Sequence, residues 1–165
     1  MFGGSPLSQR DEGQMVLLYD PDKCTGCRYC EIACAFSHLG VLDISKANLK
    51  VVFDEAKRAY EVAHCMHCDE PVCAAVCPTE AISKDETTGL VTLNRLRCVG
   101  CRSCVHVCPL GAPWFHVEEG VARKCDFCDG EPLCARYCSP KAMIVATREE
   151  ARKRMEKRYG GGGHG

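Results

Sequence analysis

The stretch Cys98-Val99-Gly100-Cys101-Arg102-Ser103-Cys104-Val105-His106-Val107-Cys108-Pro109 decides how this chain is read. Its cysteines follow the pattern C-x2-C-x2-C-x3-C-P, and three other segments repeat the plan. Cys24, Cys27, Cys30 and Cys34 keep the same spacing without the proline. Cys65, Cys68, Cys73 and Cys77 follow C-x2-C-x4-C-x3-C-P, and Cys125, Cys128, Cys134 and Cys138 follow C-x2-C-x5-C-x3-C. The 165-residue chain has 16 cysteines, and these four groups use them all.

The spacing has a mechanical reading. Three thiolates on one tight loop can wrap a corner of an iron–sulfur cube, while a fourth, one short helical turn later, projects toward the other cluster of a pair. The first and third groups match the ligand run of bacterial ferredoxins, and the other two widen its middle loop. Four ligands per cluster predict four [4Fe–4S] clusters, with iron bound through the same sixteen cysteines. Pro78 and Pro109 are expected to stop the turn that carries each fourth thiolate. Gly26 and Gly100 are expected where backbone passes close to inorganic sulfide. With every ligand position filled by sulfur, His64, His67 and His106 are expected to hydrogen-bond to sulfur rather than bind iron. His38, His116 and His164 read as surface or packing residues, and Trp114 with Phe115 as core packing.

Competing uses of the thiols fit less well. Structural zinc takes separated C-x2-C pairs about 12 to 20 residues apart. A disulfide framework needs an export signal, which 1–14 does not resemble, and close neighbours pair poorly as bridges. Reactive thiols would not be so numerous. Leu, Ile, Val and Phe make up only about a fifth of the chain, so metal binding is expected to carry much of the stability. The net charge of −1 excludes a nucleic-acid binder built on a basic field. No run approaches the roughly 18 apolar residues of a transmembrane segment, so a cytoplasmic location is expected. Phosphate loops and the H-E-x-x-H and G-x-S-x-G motifs are absent. No catalytic residue is predicted; the chain reads as an electron conduit rather than an enzyme by itself.

Between the cysteine groups lie strand and turn signals. Segment 16–19 leads into the first loop, 49–53 and 60–63 form a hairpin, and 81–83 and 90–93 another. Segments 114–117 and 121–124 make a third hairpin, and 142–147 a last strand. The fold class is α+β: tandem bacterial-ferredoxin-like modules with short helices and β-hairpins around four clusters. Residues 1–15 form an N-terminal arm and 16–147 the polyferredoxin domain. Within that domain, 16–64 plus 110–147 make an outer module and about 65–109 an inner one. A charged helix is expected over 148–159 and a flexible Gly-rich tail over 160–165.

The run from Cys65 to Ala81 resembles the second motif of the four-cluster electron-transfer subunits that accompany molybdenum and tungsten pterin enzymes, the dimethyl sulfoxide reductase and formate dehydrogenase groups. Arg123-Lys124-Cys125-Asp126-Phe127-Cys128 resembles their fourth motif, and Phe36, Ser37 and His38 after Cys34, with no proline, their first. The resemblance spans about 16–147. It implies a wiring in which the outer motifs exchange their last cysteines, as do the inner ones. One cluster then takes Cys24, Cys27, Cys30 and Cys138, and a second Cys65, Cys68, Cys73 and Cys108. A third takes Cys98, Cys101, Cys104 and Cys77, and the fourth Cys125, Cys128, Cys134 and Cys34. Four clusters in line are implied. The partner implied is a catalytic pterin-dependent subunit, with a flavin subunit, a soluble ferredoxin or further copies of this chain as other contacts. The compact length is most similar to subunits serving cytoplasmic tungsten enzymes of the aldehyde oxidoreductase type. Ferredoxin-like subunits of hydrogenase, carbon monoxide dehydrogenase or benzoyl-CoA reductase systems are alternatives, as is a freestanding or self-stacking polyferredoxin.

Overall fold

A computed structural model describes residues 13–159; the expectations for 1–12, for 160–165 and for His164 lie outside it. Strand β1 (Met15–Tyr19) pairs antiparallel with β8 (Met143–Thr147), Met15 opposite Thr147 and Tyr19 opposite Met143. Three local hairpins follow in chain order: β2–β3 (Lys50–Asp54, Ala59–Ala63), β4–β5 (Ile82–Lys84, Val91–Leu93) and β6–β7 (Trp114–His116, Val121–Arg123). Every strand segment read from the sequence is present within a residue or two. The β1–β8 ribbon joins the two ends of the domain and was not anticipated.

That ribbon is buried on both faces, because successive side chains of a strand point opposite ways. Leu17 and Met143 enter the main core with Cys34, Ala35, Leu49, Phe127 and Cys134. Val16, Leu18 and Ala146 face the other way and are covered by Ala151 of α5 (Arg148–Tyr159). A smaller core forms around Ile82, Val91, Cys104 and Ala122.

The other helices each follow the last loop position of a cysteine group: α1 (Tyr29–Leu39), α2 (Val72–Ala75), α3 (Ser103–Val107) and α4 (Leu133–Arg136). Three are a single turn. Pro78, Pro109 and Pro140 come just after them, and the residue before a proline is pushed out of helical conformation. No proline follows Cys34, so α1 runs on until Gly40, whose N–H closes onto Phe36 O at 2.8 Å.

Candidate functional site

The third and fourth cysteines of each group are four residues apart on or just past one of these helices. Residues at i and i+4 share a helix face one turn apart. Helix α1 carries both of its thiols, while α2, α3 and α4 carry the third cysteine and end just before the fourth, so each pair can serve two adjacent sites.

One cavity is lined by Cys24, Cys27, Cys30 and Cys138 together with Tyr19, Val51 and Met143. Another is lined by Cys77, Cys98, Cys101 and Cys104 with Ile82, Leu93 and Ala122. Each brings three cysteines of one motif together with the last cysteine of another. The remaining eight thiols are sorted by their mutual electrostatics. Burial, then repulsion from Cys125, Cys34 and Cys128, pushes the Cys134 thiol up. Cys68 is raised by burial and then chiefly by Cys65, with Cys108 adding to it, and Cys73 is raised by burial with Cys65 and Cys108 contributing. Thiols of different groups also meet at the seams, Cys30 acting on Cys134, Cys65 on Cys125 and Cys73 on Cys104. Three such pairs link thiols of different groups.

Backbone N–H groups are aimed at sulfur throughout. Asn48 N donates to Cys34 Sγ at 3.3 Å, Ala81 N to Cys77 Sγ at 3.2 Å and Met143 N to Cys138 Sγ at 3.3 Å. Inside the wide loops His67 N donates to Cys65 Sγ at 3.5 Å and Phe127 N to Cys125 Sγ at 3.4 Å. Such donors favour thiolate over thiol. Burial opposes them: it drives the Cys30 and Cys125 thiols up to about 12 and Cys104 up to about 11. So many buried thiolates are tolerable only where a cation neutralises them. The all-sulfur donor set, four to a group, suits iron–sulfur ligation better than the mixed sets of most other metals.

The two narrow loops and the two wide ones solve the same turn differently. The residue before the second cysteine has a positive φ in all four: 69° at Gly26 and Gly100, 46° at His67 and 65° at Phe127. At both glycines protein atoms close off the direction a side chain would take. A Cβ on Gly26 would lie 2.2 Å from the Tyr60 ring, and one on Gly100 2.3 Å from Gly120 O. Protein atoms take that space. In the wide loops the strained backbone is offset by packing, the His67 and Phe127 rings meeting edge to face at 5.8 Å.

The histidines near the groups are held in different ways. His64 lies between two backbone carbonyls, Val62 O at 3.0 Å and Leu17 O at 3.2 Å. His67 Nδ1 accepts from Val91 N at 3.0 Å, which leaves the proton on Nε2; that atom is buried with no partner among the described residues. Neither side chain is bonded to a cysteine. An orphan donor beside Cys65 and Cys68 fits a sulfur acceptor held in the group it borders. His38, read as surface or packing, stands at the site. Its Nδ1 faces Cys34 O at 2.9 Å and its Nε2 faces Asp126 Oδ1 at 2.9 Å. Both neighbours are acceptors, so both ring nitrogens must donate and the ring is an imidazolium. Asp126 and Cys34 raise it to about 11; the bonds from His38 and Cys128 N outweigh burial and bring Asp126 down to about 2. Asp126 is 88 residues from His38 in sequence, and no local signal announces the pair.

Residues 56–148 match a 4Fe-4S dicluster domain family, and residues 16–78 match a second family of the same description. The chain is 35% identical over 133 residues to the polyferredoxin-like subunit of an aliphatic sulfonate oxidoreductase from Pyrococcus furiosus, covering 80% of this chain and 76% of that one. It is 34% identical over 163 residues to a probable anaerobic dimethyl sulfoxide reductase chain of Escherichia coli, covering 86% and 77%. To the thiosulfate reductase electron transfer subunit of Salmonella typhi it is 30% identical over 151 residues, covering 84% and 78%. With these matches on a framework of sixteen grouped thiols, the chain belongs to the 4Fe-4S dicluster family of iron–sulfur proteins.

Proposed function

We propose that this protein is the electron-transfer subunit of an oxidoreductase complex and carries four [4Fe–4S] clusters. The ligand sets are Cys24, Cys27, Cys30 and Cys138; Cys34, Cys125, Cys128 and Cys134; Cys65, Cys68, Cys73 and Cys108; and Cys77, Cys98, Cys101 and Cys104. The observation that carries the reading is the pair of cavities each lined by four cysteines drawn from two motifs. When bound, such clusters supply one-electron transfer without making or breaking bonds in a substrate.

The chain's own residues do the rest. The loops hold three thiolates apiece, and the helices pass the fourth to the neighbouring group. N–H donors from Asn48, Ala81 and Met143 stabilise thiolate. Apolar residues such as Leu17, Phe127 and Met143 exclude water from the thiols of the first and fourth motifs. Cys27 and Cys101, one in each end group, are exposed, and so is Cys68 of a middle group, which suits exchange at either end and beside the second motif.

The partner in this reading is a catalytic tungsten or molybdenum pterin subunit in a reducing, cytoplasmic setting. The named roles of the sulfonate oxidoreductase and dimethyl sulfoxide reductase relatives support an oxidoreductase partner, and the pterin metal follows from the family resemblance of the motifs. No helix among the described residues is long and apolar enough to cross a membrane. Anaerobic purification of the untagged protein from its host, with mass measurement and metal analysis of what accompanies it, tests the assignment. A complex containing molybdenum or tungsten is expected. A homopolymer or an unaccompanied monomer would overturn the partner assignment.

A further inference from the structure

Lys124 is buried, 5% exposed, yet it makes no ion pair among the described residues. Its ammonium donates to Val91 O, and to Cys125 O at 2.8 Å. Two neutral carbonyls only partly replace the hydration a buried cation loses. The other cations nearby are already matched. Arg148 reaches Asp69 at 2.8 Å, Arg123 is held by Glu119 and His38 by Asp126. His67, which also hangs on Val91, is held neutral by accepting the Val91 N–H. Lys124 is thus a buried charge whose anion is not a carboxylate.

Its position says what the anion is. Lys124 precedes Cys125 and bonds its carbonyl, and it also bonds the carbonyl of Val91, a residue of the smaller core against which Cys73 packs. Cys125 and Cys73 belong to two different groups, and Lys124 acts electrostatically on both. It stands in the seam between the set Cys65, Cys68, Cys73, Cys108 and the set Cys34, Cys125, Cys128, Cys134. Four thiolates around a [4Fe–4S] core in its oxidised state carry a net double negative charge, and one added electron makes it triple.

We propose that Lys124 is the shared counter-ion of the two middle clusters and raises the reduction potential of both above what their burial alone would give. A fixed positive charge favours the more negative, reduced form at each site. The middle of the line then becomes a step an electron can occupy rather than a barrier between the ends. The inference rests on the cluster assignment above.

The test starts from anaerobic wild-type protein whose iron and acid-labile sulfide content shows it fully loaded; failure there would strike the cluster assignment, not this proposal. Lys124→Gln keeps hydrogen-bond donors to both carbonyls while removing the charge, and Lys124→Arg keeps the charge. Redox titrations followed by electron paramagnetic resonance are compared. In Lys124→Gln the oxidised-to-reduced ratio of two of the four clusters should rise about tenfold at fixed potential, which is 59 mV for one electron. The other two should stay unchanged, and Lys124→Arg should restore the wild-type ratios. Loading of the Arg variant but not of the Gln variant would also support a counter-ion, one needed for assembly. Unchanged potentials in loaded Lys124→Gln, an equal shift of all four clusters, or failure of both variants to take up iron would overturn the proposal.

Discussion

The two cores of this molecule hold their thiols by different means. Around the first and fourth motifs, Cys34, Cys134 and Cys138 are buried with Leu17, Leu49, Phe127 and Met143, on a ribbon that ties the ends of the domain together. Around the second and third motifs, Ile82, Val91 and Ala122 pack with Cys104, and both hairpins there have three-residue strands. Apolar burial supports the first region; the second depends far more on what its cysteines bind. Regions with few buried contacts open first.

Removing iron should have the largest effect and should expose the contrast. A chelator under argon is expected to unfold the chain, with amide exchange at Ile82 and Val91 rising before that at Leu17 and Met143, by mass spectrometry of peptides. Simultaneous loss would erase the distinction, and an apo form that melts near the holo temperature would refute metal-dependent stability. Leu17→Ala should cost about 3 kcal/mol, whereas Ile82→Val in the smaller core should cost about 1 kcal/mol, by anaerobic denaturant titration.

The narrow loops sharpen the comparison further. Gly100→Ala should cost about 2 kcal/mol, because both its positive φ and the fixed Gly120 carbonyl oppose a Cβ. Gly26→Ala should cost less, since the Tyr60 ring it meets can move; equal losses would argue that strain alone decides. A pH-dependent effect concerns the ion pair of the larger core. His38 has its pKa raised from 6.5 to about 11, so its contribution is complete below 6.5 and fades as pH rises toward 11. Asp126 is lowered from 3.8 to about 2, so its contribution is complete above 3.8 and fades only as pH falls toward 2. The melting difference between wild type and His38→Gln should therefore be greatest near pH 6 and shrink by pH 10. A difference that grows with pH would contradict the imidazolium.

Much of this was legible in the residues. Period-two runs and turn residues locate every hairpin, and the missing proline after Cys34 accounts for the longer α1. The β1–β8 pairing was not legible, because Val16 and Ala146 are joined by no local signal and either strand alone reads as an ordinary apolar run. Buried Glu31 was missed for a similar reason. It accepts from Arg28 Nε at 2.5 Å and from Val51 N at 3.2 Å, partners fixed only once the first loop has folded against β2. Lys124 reads as part of a motif and not as a buried charge, since one buried residue after a three-residue strand leaves no periodic trace. The left-handed residues of the wide loops, His67 and Phe127, lack the glycine that marks the narrow ones.

Iron and acid-labile sulfide analysis of oxygen-free protein bears on the central claim most directly. The account predicts about sixteen of each per chain, in brown material that yields paramagnetic signals once reduced with dithionite. Stoichiometric zinc in a colourless protein, or half that iron at full occupancy, would contradict it.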